Sequence, residues 1–128
     1  KGKVKFYSEG ADGGRIHSVS ESKGSYEVET LCLDDIIDGE IDFLKMDIEG
    51  AETDVICGLK KISKIKEIFI EYHSFADKNQ TLDELLNFLK ESGFRYYIQT
   101  IFCSPRPLTE PELQLGMDLQ LNIFAKRC

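Results

Sequence analysis

Two mostly apolar runs, Ile41-Asp42-Phe43-Leu44-Lys45-Met46-Asp47 and Ile68-Phe69-Ile70-Glu71-Tyr72-His73, dominate what this chain can fold into. Each is short, rich in branched and aromatic residues, and followed by a helical pattern. That is how strands of a parallel sheet covered on both faces read, and it predicts βαβ units. After the first run, Ala51, Val55, Ile56 and Leu59 form one stripe of an amphipathic helix. After the second, Leu82, Leu85, Leu86 and Leu89 share a face, Gly93 closes the segment, and Thr81 with Glu84 has the spacing of a capping box.

The flanks fill in the rest. Residues 3–7 and 26–31 alternate and are expected to form a leading pair of strands around a glycine-rich loop that contains Gly10, Gly13 and Gly14. Leu33-Asp34-Asp35-Ile36-Ile37 reads as one helical turn that stops by Gly39. Residues 96–102 and 119–124 read as two further strands. Pro105, Pro107 and Pro111 all fall between them and make that connection a loop. The expected fold is α/β, a single domain over residues 1–128 with a mostly parallel sheet closed by an antiparallel hairpin.

Composition narrows the partners. A formal charge of -7 in 128 residues repels phosphate backbones and anionic surfaces, so neither nucleic acid nor a membrane is expected as a partner. No apolar run approaches the roughly 20 residues of a membrane helix. Four scattered cysteines without a C-x-x-C pair suggest neither a disulfide framework nor a zinc knuckle, and with no secretory leader they fit a reducing cytoplasm.

In open α/β sheets, ligands sit beyond the carboxyl ends of the parallel strands. Asp47-Ile48-Glu49-Gly50-Ala51-Glu52 lies at one such end and Glu71-Tyr72-His73 at the next. If the strands are adjacent, Asp47, Glu49, Glu71 and His73 converge on one crevice. Those four could bind a divalent metal, or His73 could act as a base oriented by a carboxylate. Glu52 is assigned instead to the helix macrodipole, which favours an acid in any first turn, and its replacement is expected to do little. His17 reads as a solvated loop residue and Cys57 as a small core residue. Ser8, Ser18 and Ser20 lack a nucleophile elbow.

The stretch from Asp42 through Glu52, then Val55-Ile56-Cys57-Gly58, then residues 68–73, resembles the signature region of the FkbM-type S-adenosylmethionine-dependent methyltransferases. Leu33-Asp34-Asp35-Ile36-Ile37 is similar to the segment that precedes that signature. The likeness covers residues 4–94, with residues 119–126 similar to the closing strand. It implies the carboxy-terminal half of a Rossmann-like methyltransferase, strands four to seven, without the glycine-rich turn and ribose-binding acid through which that class holds its cofactor. It also implies S-adenosylmethionine as cofactor, O-methyl transfer to a small-molecule or sugar hydroxyl, and Asp47, His73 and Glu71 as catalytic residues. Two readings compete with it: a non-catalytic α/β assembly domain and a small metal-binding module. In such a sheet residues 41–47 are interior, so this chain is expected to expose an edge there and to self-associate through it.

Overall fold

The computed structural model describes residues 2–8, 14–15 and 25–127. His17, Ser18, Ser20, Cys128 and the loop glycines Gly10 and Gly13 lie outside them. The chain forms two compact units, Lys1–Asp38 and Gly39–Cys128.

In the first unit, β1 (Gly2–Ser8) is the middle strand of an antiparallel sheet in the order β2-β1-β3, with β2 at Gly14–Arg15 and β3 at Ser25–Thr30. The leading pair is therefore present with a short third strand added. Val4 stands opposite Val28, and Lys3 reaches Glu27 at 3.4 Å across an exposed surface. Helix α1 (Leu33–Ile36) is a single turn with Asp34 and Asp35 at its start, where the helix dipole favours acids.

The second unit runs β4 (Ile41–Met46), α2 (Glu52–Cys57), a 3₁₀ turn at Ile62–Lys64, β5 (Ile65–Phe75), α3 (Leu82–Glu91), β6 (Phe94–Cys103) and β7 (Met117–Arg127). Its sheet has the order β4-β5-β7-β6. β4 and β5 are parallel, whereas β7 is antiparallel to both β5 and β6. The expected mostly parallel sheet is thus a mixed one. Three strands share a direction, but two of the three ladders are antiparallel because the last strand enters reversed between β5 and β6. The 104–116 connection holds all three prolines and no helix, as expected.

Packing follows the pattern read from sequence in β5, α2 and α3, but β4 is not covered on both faces as expected: only Met46 on it is buried, and Phe43 is exposed. Ile68, Ile70 and Tyr72 of β5 stand opposite Ala125, Ile123 and Leu121 of β7, and all six are buried. Leu85 and Leu89 of α3 and Ile56 of α2 are fully enclosed. Each such side chain contributes roughly 1.5–3 kcal/mol by leaving water. Gly93, at φ +84°, ends α3 in the left-handed conformation that glycine adopts without strain. Arg127 ties the end of β7 down: its guanidinium donates to the carbonyls of Ile62, Ile65 and Ser92 and lies 4.4 Å from the Phe94 ring centre.

The capping box is not formed. Thr81 occupies the N-cap position of α3, yet its side chain makes no cap hydrogen bond. Its hydroxyl donates instead to Thr53 Oγ1 at 2.8 Å, and its backbone N–H donates to the Tyr72 hydroxyl at 3.1 Å. Tertiary partners have displaced the local ones. Cys57 is half-buried rather than part of the core. Among the described residues Cys32, Cys57 and Cys103 are free, and no helix is long and apolar enough to cross a membrane.

Candidate active site

β4 and β5 run side by side with Met46 opposite Ile70, so residues 47–52 and 71–73 come together at one end of the sheet. The turn between β4 and α2 is tight. Glu49 has φ 56° and Gly50 φ +96°, and a Cβ on Gly50 would lie 2.8 Å from the Phe75 ring. Only glycine meets both demands at position 50.

The group that organises this turn is Glu52. It is 1% exposed, and its carboxylate accepts the backbone N–H of Ile48 at 3.2 Å and that of Gly50 at 3.0 and 3.1 Å. Glu52 Oε1 also meets His73 Nδ1 at 2.9 Å, deep in the protein. Assigning Glu52 to the helix dipole alone is therefore wrong. A dipole effect needs only an exposed acid in the first turn, whereas this carboxylate satisfies two amides and a ring nitrogen that would otherwise be buried without partners.

A carboxylate facing Nδ1 puts the imidazole hydrogen there and leaves Nε2 to serve the opposite side. On that side Glu49 Oε2 and Glu71 Oε1 each lie 3.9 Å from Nε2, with Glu49 and Glu71 partly exposed and the His73 side chain 3% exposed. Gln120 on β7 donates to Glu71 Oε1 at 2.6 Å and stands 3.5 Å from Nε2. Asp47 pairs with Lys45 at 3.2 Å on the surface. Ligand atoms of Asp47, Glu49 and His73 all lie within 4.8 Å of one another.

All four expected site residues are thus assembled. Gln120 and Glu52 join them, neither of which was picked out as a site residue. A signal for Glu52 was present: Glu52, Ile56 and Leu59 are spaced i, i+4, i+7, so Glu52 sits on the buried stripe of its own helix.

The electrostatics follow from this geometry. Burial alone would push the Glu52 carboxyl up, but the hydrogen bonds from His73 and the Gly50 N–H outweigh it and hold the group below the usual carboxylate range. Burial would likewise push His73 down. Its hydrogen bond to Glu52 and the negative field of Glu52, Glu49 and Glu71 reverse that and raise it above the ordinary histidine value.

A buried carboxylate thus holds a histidine where β4 gives way to the turn beside β5, the end of an open α/β sheet at which ligands bind. The family model of the methyltransferase FkbM domain matches residues 2–96, well over half of the chain, which therefore belongs to the FkbM methyltransferase family. No curated protein and no solved structure matches it.

Proposed function

We propose that this chain is the acceptor-activating part of an S-adenosylmethionine-dependent O-methyltransferase acting on a hydroxyl of a small molecule or sugar. The observation that carries the reading is the buried Glu52–His73 pair, which leaves Nε2 turned toward Glu49 and Glu71 beside Asp47. The three carboxylates Asp47, Glu49 and Glu71 also suit a positively charged sulfonium electrostatically, with Lys45 paired to Asp47 and Lys78 set over the Phe75 ring as the nearby cations. When bound, S-adenosylmethionine supplies a methyl group already electrophilic enough to be transferred.

The protein's own task is to orient the acceptor and lower the cost of removing its proton. With that methyl donor bound, the acceptor oxygen would be methylated as it gives up its proton, and the residues here would hold the acceptor hydroxyl and take up that proton. His73 contributes through Nε2, which is placed to receive the acceptor's proton; were a cation held there, Nε2 would ligate it and the cation would supply the polarisation of the hydroxyl. One lone pair cannot do both at once. Asp47 and Glu71 flank the acceptor side, and Glu52 is a positioning residue that holds the ring and its tautomer.

The test is methyl transfer from labelled S-adenosylmethionine by the natural protein that contains this chain, offered a panel of hydroxylated acceptors. Asp47→Asn and His73→Ala are expected to lower turnover by about a hundredfold or more, the usual scale for a lost acid–base group, with the melting temperature little changed in Asp47→Asn and lowered in His73→Ala, which leaves the buried Glu52 carboxylate without its partner. Equal losses of stability and turnover in Asp47→Asn would overturn the assignment.

A further inference from the structure

We propose that Asp47, Glu49 and His73 form a binding site for a divalent first-row cation such as Mn²⁺, with Nε2 of His73 as its nitrogen ligand. The three ligand atoms lie within 4.8 Å of one another. A cation about 2.1 Å from each ligand holds neighbouring ligands about 3 to 4 Å apart. Small side-chain rotations of the half-exposed Glu49 and the exposed Asp47 therefore close the site without moving the backbone.

A second observation points the same way. The His73 side chain is 3% exposed and its Nδ1 is engaged by Glu52, yet Nε2 has no short protein partner. Both facing carboxylates stop at 3.9 Å, beyond hydrogen-bond reach. The nearest amide nitrogen, of Gln120, gives its short hydrogen bond to Glu71 at 2.6 Å and meets Nε2 only at 3.5 Å, the outer limit of hydrogen-bond reach. A buried imidazole nitrogen aimed at carboxylates that do not reach it leaves room for a cation between them. A ligating histidine whose other nitrogen is held by a carboxylate is also how proteins fix ring orientation and raise ligand basicity at metal centres.

The donor set selects the ion. One imidazole with two carboxylates suits Mn²⁺ or Zn²⁺, whereas Mg²⁺ prefers oxygen ligands and sheds its water reluctantly. Glu71, hydrogen-bonded to Gln120, is an outer-shell acid. Asp42, also on β4, is engaged elsewhere with Lys66 at 2.6 Å and serves as a control.

The inference concerns the same site as the methyl-transfer reading but is tested by binding alone, so either can fail without the other. Mn²⁺ is titrated into the metal-free full chain, with no cofactor or acceptor, and followed by loss of the free-ion EPR signal. One saturable equivalent is expected. Asp47→Asn and Glu49→Gln are expected to weaken it about tenfold or more, as is usual for loss of a ligand or its support, while Asp42→Asn leaves it unchanged. Zn²⁺ should displace the bound Mn²⁺, and a tenfold excess of Mg²⁺ should not. Pulsed EPR of the wild-type complex should show nitrogen modulation, a reading that needs no His73 variant to fold. Absence of a saturable equivalent, affinity indifferent to Asp47→Asn and Glu49→Gln, displacement by Mg²⁺, or no nitrogen modulation would each overturn the site.

Discussion

Glu52 satisfies the N–H groups of Ile48 and Gly50 together with His73 Nδ1, so its removal leaves several buried donors without an acceptor. Glu52→Ala is expected to cost roughly 2–4 kcal/mol in urea unfolding, at 1–3 kcal/mol for each buried group left unpaired and with partial relaxation. The same pair sets a pH dependence in metal-free protein. His73 is raised from 6.5, so its contribution is complete below that value and is lost as pH rises through the higher folded one. Glu52 is lowered from 4.5, so its contribution is complete above that value and is lost as pH falls through the lower folded one. Stabilisation by the pair is therefore greatest between 4.5 and 6.5. Thermal melts across pH 4–9 should show this maximum in the wild type and a flatter profile in His73→Gln. Asp47, Glu49, Glu71 and His73 were legible in the sequence because they close two recognisable apolar runs, although β5 continues past His73 to Phe75. The importance of Glu52 was not, since its role depends on a contact 21 residues away.

At the scale of the element, local and tertiary explanations of one sequence pattern give opposite predictions. If Thr81 and Glu84 made a capping box, Glu84→Ala would cost about 1 kcal/mol. With the Thr81 hydroxyl turned to Thr53, Glu84→Ala should change stability by less than about 0.5 kcal/mol, as for an ordinary surface substitution. Thr81→Val should cost about 1 kcal/mol through the lost hydrogen bond. Chemical denaturation of both variants separates the cases. Gly50→Ala is a stronger test of the β4–α2 turn: its φ of +96° and the Phe75 ring 2.8 Å from the added Cβ predict a loss of about 1–3 kcal/mol. β5, β7 and the two longer helices were legible because apolar spacing tracks burial there, whereas β4 and β6 leave Phe43, Tyr97, Ile98 and Ile101 exposed. What Thr81 bonds to was not, because Thr53 reaches it only through the packing of α2 against α3.

Across the whole molecule, β4 has β5 as its only strand partner among the described residues, and Phe43 on it is 59% exposed. An open apolar edge pairs readily. Light scattering is expected to show a mass that rises with concentration. A strictly monomeric chain with strongly protected amides along Ile41–Met46 would show the edge to be covered within one chain. S-adenosylmethionine is expected to bind the 128 residues weakly, because they contain no glycine-rich strand-to-helix turn paired with a ribose-binding acid; tight stoichiometric calorimetric binding would refute this. The placement of β7 could not be read from alternation alone, which identifies a strand and not its neighbours. That placement also governs biosynthesis. Among the described residues β5 and β6 share no ladder except through β7, so while the ribosome is still making residues 104–116 β4 can pair with β5, but β6 waits with both margins bare. A nascent chain stalled there would be a client for chaperones, and the entry of β7 is the event that ties β6 into the sheet.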